Sequence, residues 1–407
     1  MLHFIKNNKL FSKLVTINFI SKIGDRLFYT AMLTVATSLE SGSVAVMIVS
    51  ISETLPILLS IFLGVIADKR RDKIKFLVWS SLFRTAMYIG IGLLFGFRPS
   101  FSLILLAAGL NFISDIFGNF SSALFSPYTK RLIRADEMEQ AQGIMSLGTQ
   151  LVSVMATFIG AFLLGIFKES TIAFLNAAIF FAVAIMYWRV RSFLKEPEIV
   201  LTTMETDNVL HIVRENIRLL VDDNELFVNL IQLAMINGFF GGITPVFALF
   251  LNTNHEMVLL SNAVKISLLS GVITLFMIVG NALTTKIVRK MSIYRICVIP
   301  SVIIILEGIA FLMNRLVLIF IATGLIAFFL GIVSPRFSAK IVNKYPIERI
   351  GGIITSVNAL LVVTPPLTSF LFPILATKNI TYAYWGFIAY ALLLVAICFS
   401  LKYKKAT

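Results

Sequence analysis

Twelve times along this 407-residue chain, a run of about 20 or more mostly apolar residues is closed off by charged residues, glycine or proline. A run of that length, as a helix, crosses the roughly 30 Å hydrocarbon core of a bilayer and satisfies its backbone N–H and C=O groups internally. The runs cover approximately residues 13–37, 43–67, 75–97, 101–127, 139–166, 170–189, 226–251, 258–282, 293–313, 316–341, 350–376 and 380–401. An all-α membrane protein of twelve transmembrane helices in two six-helix repeats is therefore expected. Charged residues make up 14% of the chain, against roughly 25% in soluble domains.

One long polar connection breaks the series. Residues 1–190 are read as an N-terminal six-helix bundle, 191–225 as a linker and 226–407 as a C-terminal six-helix bundle. In the linker, Val209, Ile212, Val213, Ile217 and Leu220 recur at helical spacing opposite Arg214, Glu215 and Arg218. That pattern predicts an amphipathic helix on the membrane surface.

The net charge of +14 is distributed rather than patched. With the N-terminus in the cytoplasm, 26 of the 35 Lys and Arg fall in cytoplasmic segments, and the other side holds four, Arg98, Lys168, Arg315 and Lys378. This asymmetry orients the chain with both termini cytoplasmic, and the remaining basicity suits anionic membrane lipid. Cations in short bursts between apolar runs do not form a nucleic-acid face. Cys297 and Cys398 lack C-x-x-C spacing and His3, His211 and His255 are scattered, so no disulfide framework, metal site or cofactor is expected. The N-terminus is basic then apolar like a signal peptide, but Lys22, Asp25 and Arg26 interrupt it, and it is read as a retained first span. Neither a nucleophile–base pair nor a phosphate-cradling glycine loop appears, so the chain is not read as an enzyme.

The halves resemble one another. Ser126-Pro127 aligns with Ser334-Pro335 at an offset of 208, and Gly143-Ile144 with Gly352-Ile353 at 209, with a basic loop and acidic residues between. A duplicated six-helix unit suggests a transporter whose substrate site lies between the halves near the bilayer midplane.

The stretch Gly64–Lys73, GVIADKRRDK, is the polar interruption after the second run. It resembles the motif G-x-x-x-D-R/K-x-G-R-R/K of the major facilitator superfamily. Gly64, Asp68, Lys69 and Lys73 match, whereas Arg71 replaces the usual glycine and Asp72 stands where a basic residue is usual. SKIGDRLFYTAML in span one, GSVAVMIVSISETLPILLSIFLGVIAD through span two, the segment from Ala123 to Phe162 and RENIRLLVDDNELF before span seven are similar to the bacterial macrolide-efflux and siderophore-exporter branch. The resemblance implies a monomeric plasma-membrane exporter of hydrophobic small molecules by alternating access with proton antiport. Uptake or lipid-type transport by the same fold, or a transport-inactive partner or sensor, are the alternatives.

Asp68 with Gly64, Lys69 and Lys73 is read as a conformational latch. An acid at one helix end favours the positive N-terminal end of another, and the resemblance places that partner at the start of span eleven, near Gly351 and Gly352. Asp25 and Glu53 come near mid-membrane on adjacent spans and are candidates for proton coupling, with Asp115 and Glu307 behind them. Pairing of Asp25 with Lys22 or Arg26 is the structural alternative, and Arg84 is read as a counter-ion. Many superfamily antiporters carry an arginine inside span four where this chain has Gly118. Asn111, Asn119, Gln150, Gln232, Asn237, Asn262 and Asn358 are candidate cavity amides, and most of the phenylalanines are read as facing lipid.

Overall fold

The structure, a computed structural model, describes residues 2–37, 42–98, 100–194, 208–251, 262–287, 292–376 and 379–403; the side chains of Arg26, Glu53 and Asn262 lie outside the described set. The helices are α1 (Leu2–Asn7), α2 (Lys9–Thr37), α3 (Gly42–Asp68), α4 (Lys73–Leu94), α5 (Phe101–Leu132), α6 (Met138–Leu164), α7 (Glu169–Val190), α8 (Val209–Asp222), α9 (Asn224–Phe250), α10 (Asn262–Ile287), α11 (Ile293–Leu312), α12 (Leu316–Lys344), α13 (Ile350–Ala376) and α14 (Ile380–Tyr403). Each of the twelve apolar runs coincides with one long helix, and the linker run with α8. Nine helices among the described residues are long and apolar enough to cross a membrane; α3 and α11 contribute shorter apolar stretches, Leu55–Asp68 and Ile296–Leu312. The charges Lys22, Asp25 and Arg26 lie inside α2, which runs on through them.

Local chemistry sets several boundaries. Ser100 opens α5 by accepting the Leu103 N–H at 3.3 Å, and Asp223 opens α9 by accepting that of Leu226 at 3.2 Å. Both are N-caps that satisfy donors the first turn leaves unpaired. In α13, Pro365 has no N–H to offer the carbonyl of Leu361, and Asn237 of α9 donates its amide there at 3.0 Å. Thr364 donates back to the Ala234 carbonyl at 2.7 Å, and Tyr390 of α14 to that of Met235 at 2.8 Å. Gly241 is the contact point of α9 with this bend, since a Cβ there would lie 2.5 Å from the Pro365 Cα. The proline at 365 is thus absorbed by a neighbouring helix.

Two compact units divide the chain. The first holds Met1–Met138, Gly148–Asn216 and Ile341–Ala359; the second holds Glu139–Leu147, Ile217–Lys340 and Leu360–Thr407. Each half gives the opening turns of its fifth long helix to the other unit, and these turns, in α6 and α13, correspond at the 209-residue offset of the repeat. The core of the first unit packs Phe28, Met32 and Val35 of α2 against Tyr88, Ile91, Ile104, Ile172 and Phe180. In the second, Phe239, Phe311 and Phe372 each lie within 4.7–5.6 Å of Phe387, centroid to centroid. Phe97, Phe158, Phe162 and Phe370 are exposed, whereas these buried rings are core. Edge-to-face pairing lets a helix interface bury its largest apolar groups.

Candidate functional site

The first turn of α13 exposes backbone N–H groups with no partner in their own helix; Ile353 is the residue whose N–H first reaches back, to the Arg349 carbonyl at 3.0 Å. Asp68, the last residue of α3, fills the gap. Its Oδ1 accepts the Gly351 N–H at 3.0 Å and its Oδ2 accepts the Gly352 N–H at 2.6 Å. The carboxylate is buried, so one helix caps another from outside it, with the positive end of the α13 dipole beside the charge. Charge-assisted bonds of this kind contribute roughly 1.5–3 kcal/mol each. Lys73, also buried, donates from Nζ to the carbonyls of Ala67 at 2.7 Å and Asp68 at 3.2 Å, which closes the C-terminus of α3. Lys69, the residue after Asp68, is part-exposed.

Further bonds hold the approach to α13. The Lys130 ammonium donates to the Tyr345 carbonyl, the Asn343 amide donates to the Ala135 carbonyl at 3.0 Å, and Arg349 pairs with Glu215 of α8 at 3.0 Å. The linker helix therefore braces the residue that precedes the clamp. No spacing rule links residues 134 positions apart, and this pair was not legible beforehand.

Gly64 permits the clamp. A Cβ at Gly64 would run into the Thr355 hydroxyl and come within 2.7 Å of the Gly351 carbonyl and 2.8 Å of the Gly352 Cα. Two of those atoms are backbone and cannot turn aside, so α3 and α13 must separate. Overpacking costs about 1–3 kcal/mol, and Gly64→Val is expected to speed hydrogen exchange at the Gly351 and Gly352 amides about tenfold or more. Unchanged exchange at both amides would show that the close approach is not what places Asp68.

A second cluster surrounds Arg84 in the middle of α4, whose side chain is 2% exposed. It donates to the Asp25 carboxylate of α2, to the Ser21 hydroxyl at 3.2 Å and to the Ser114 hydroxyl of α5 at 3.1 Å. Its guanidinium carbon lies 3.9 Å from the centroid of the Phe180 ring, a cation–π contact. Gly118, one turn beyond Ser114, gives the guanidinium room; a Cβ there would stand 3.3 Å from its carbon. The place without a side chain in α5 is thus filled by a cation from α4. Lys22, three residues before Asp25 on α2, donates to Thr149 of α6 at 3.0 Å. The planar fork of arginine serves Asp25 and two hydroxyls at once.

Asp115 extends the cluster along α5. It accepts from Asn111 at 3.0 Å, Asn111 accepts from the Tyr88 hydroxyl at 2.9 Å, and Asn119 donates to the Asp115 backbone carbonyl at 2.9 Å. Asn111, Asp115 and Asn119 form one stripe at four-residue spacing. Asp25 has a side chain 32% exposed beside its buried partner. Glu53 belongs to α3, but its side chain is outside the described residues. Glu307 of α11 is buried in the second unit and accepts from Thr323 of α12, with its other oxygen buried and unbonded. Of the remaining amides, Gln150 buries its Oε1 unbonded and Gln232 both amide atoms; Asn237 is committed to Leu361 and Asn358 is exposed on α13. Among the described residues, no group of three or more His, Cys, Asp or Glu could hold a metal ion.

No curated protein matches this sequence significantly. Among solved structures, the fold is similar to a bacterial homologue of the iron transporter ferroportin in the outward-facing state, at a TM-score of 0.70 and 13% identity over 96% of this chain and 99% of that one. It is also similar to the transporter FucP in the outward conformation (TM-score 0.68, 11% identity, 97% and 98% covered). The proton:xylose symporter XylE is a third such structure (TM-score 0.63, 13% identity, 96% of each chain covered). At these identities the likeness concerns the fold. A family model described as the Major Facilitator Superfamily matches residues 14–360. With twelve long helices among the described residues, a duplicated plan and that match over most of its length, the chain belongs to the major facilitator superfamily of multi-pass membrane transporters.

Proposed function

We propose that this transporter is a secondary active exporter of the bacterial plasma membrane, of the macrolide-efflux and siderophore-exporter branch. It moves hydrophobic small molecules outward by alternating access, in exchange for protons. The observation that carries the reading is the Asp68 clamp, in which both carboxylate oxygens are bonded to the α13 amides. A contact that two helix ends make only when they meet biases the equilibrium between states. Asp68, Gly64 and Lys73 are its parts, with Lys69 at its edge. Asp25, part-exposed and paired to Arg84, is the acid best placed to exchange a proton, with Asp115 on the same cluster and Glu53 retained as a partner from sequence. The stripe Asn111–Asn119, the unbonded Oε1 of Gln150 and the unbonded amide of Gln232 are few polar groups on otherwise apolar helices, which suits large, weakly polar solutes better than sugars. Asn237 and Asn358 complete the proposed lining.

Accumulation of a macrolide or a lipophilic dye in cells with and without the protein, and with and without a protonophore, tests this reading. Export predicts lower accumulation in expressing cells and loss of the difference on adding protonophore. Higher accumulation in expressing cells would reverse the direction to uptake.

The proposed orientation has its own expected outcome. Reporters fused at Thr407 and within residues 198–206 should read as cytoplasmic, and one near Asn254 as exterior. A cytoplasmic signal near Asn254 would break the twelve-span topology.

A further inference from the structure

The loop between α3 and α4 also gathers charge around a surface cleft. Lys69, Arg70, Arg71, Asp72, Lys75, Phe76 and Trp79 line a surface cleft of about 480 Å³. Four cations share it with one carboxylate, and the Arg70 guanidinium lies 4.8 Å from the centroid of the Phe76 ring. Asp72, Lys75, Phe76 and Trp79 recur at i, i+3, i+4 and i+7, and Leu82 and Phe83 continue that face of α4 away from the loop. Trp79 is 62% exposed, Phe83 40% and Leu82 36%. α4 is long and apolar enough to span a bilayer. An open apolar strip on such a helix faces acyl chains, and a tryptophan one turn from basic residues sits at headgroup depth. From Lys75 to Phe83 the strip runs about 12 Å.

We propose that this cleft binds the phosphate headgroup of an anionic phospholipid, whose acyl chain lies along Trp79, Leu82 and Phe83. Free phosphate shares the headgroup chemistry but has no use for an apolar strip continuous with the cations. Basic pockets at the ends of membrane helices suit such headgroups, each cation near the surface contributing about 1 kcal/mol. The site requires only that the chain is embedded in a bilayer, so it stands or falls apart from export.

The test uses full-length protein in phosphatidylcholine vesicles that contain rising fractions of acyl-brominated phosphatidylglycerol or acyl-brominated phosphatidylcholine. Trp79 emission is isolated by subtracting the signal of Trp79→Phe, which removes one of three tryptophans. Half-quenching of Trp79 is expected at a brominated phosphatidylglycerol fraction about tenfold below that for brominated phosphatidylcholine. Each of Arg70→Gln, Arg71→Gln and Lys75→Gln should erode the preference by up to about fivefold, the factor equivalent to 1 kcal/mol, and the three combined should remove it. Arg70→Lys with Arg71→Lys should keep it, which separates loss of the site from loss of the fold. Equal quenching by the two lipids in wild-type protein overturns the proposal, as does an undiminished preference in the triple variant. Protection of Lys75 from amine-reactive labelling by inorganic phosphate, without any lipid preference, would assign the cleft to free phosphate instead.

Discussion

Asp68→Asn is expected to cut transport ten- to a hundredfold while the protein stays in the membrane at near-normal abundance. The amide keeps one acceptor for the α13 N–H groups but turns an NH₂ toward the other, so at least one charge-assisted bond is lost. That bond contributes roughly 1.5–3 kcal/mol, which in a two-state equilibrium is a shift of about 10- to 150-fold. Abundance is spared because the clamp holds two helix ends rather than a core, and Lys73 keeps the carbonyls of Ala67 and Asp68. Cysteines placed near the α3–α4 loop should label faster in the variant, since loss of the contact favours the state in which that end is open. Unchanged export and labelling would leave Asp68 as a helix cap with no part in switching.

Removing the charge of Asp25 should have the second large effect, and its two explanations separate cleanly. Asp25→Asn leaves Arg84, which is 2% exposed, without its carboxylate. Breaking a buried ion pair from one side costs about 3–5 kcal/mol. If the pair is only structural, Asp25→Asn lowers the amount of folded protein, and Arg84→Gln added to it restores both protein and export. If Asp25 carries protons, the double variant restores folded protein but not accumulation against a gradient, because a permanently neutral side chain does not follow protonation; downhill exchange survives. Glu53→Gln is expected to behave as Asp25→Asn does in export. Full, protonophore-sensitive uphill export by Asp25→Asn, Glu53→Gln would remove both acids from coupling and turn attention to Asp115.

The helices were legible because a membrane span is a local property. Length and apolarity fix it, so the run read at 75–97 is α4 at Lys73–Leu94 and the run at 350–376 is α13 at Ile350–Ala376. The linker helix followed from its own periodicity, and the repeat from Ser-Pro and Gly-Ile at matching offsets. Asp68 could be singled out because Gly64–Lys73 resembles the superfamily motif, whose parts all lie within ten residues.

What joins distant residues was not local. Arg84 lies 59 positions from Asp25, beyond the reach of any spacing along one helix, and only the packing of α2, α4 and α5 brings the two together. The space at Gly118 likewise acquires meaning only when the guanidinium from α4 fills it. Sequence alone determined which segments are helices and where charge could not be idle, since both depend on the cost of exposing polar groups to lipid residue by residue. Tertiary structure alone decided which acid meets which cation and which amide repairs which proline, because those partners are set by how helices cross and not by any spacing along the chain.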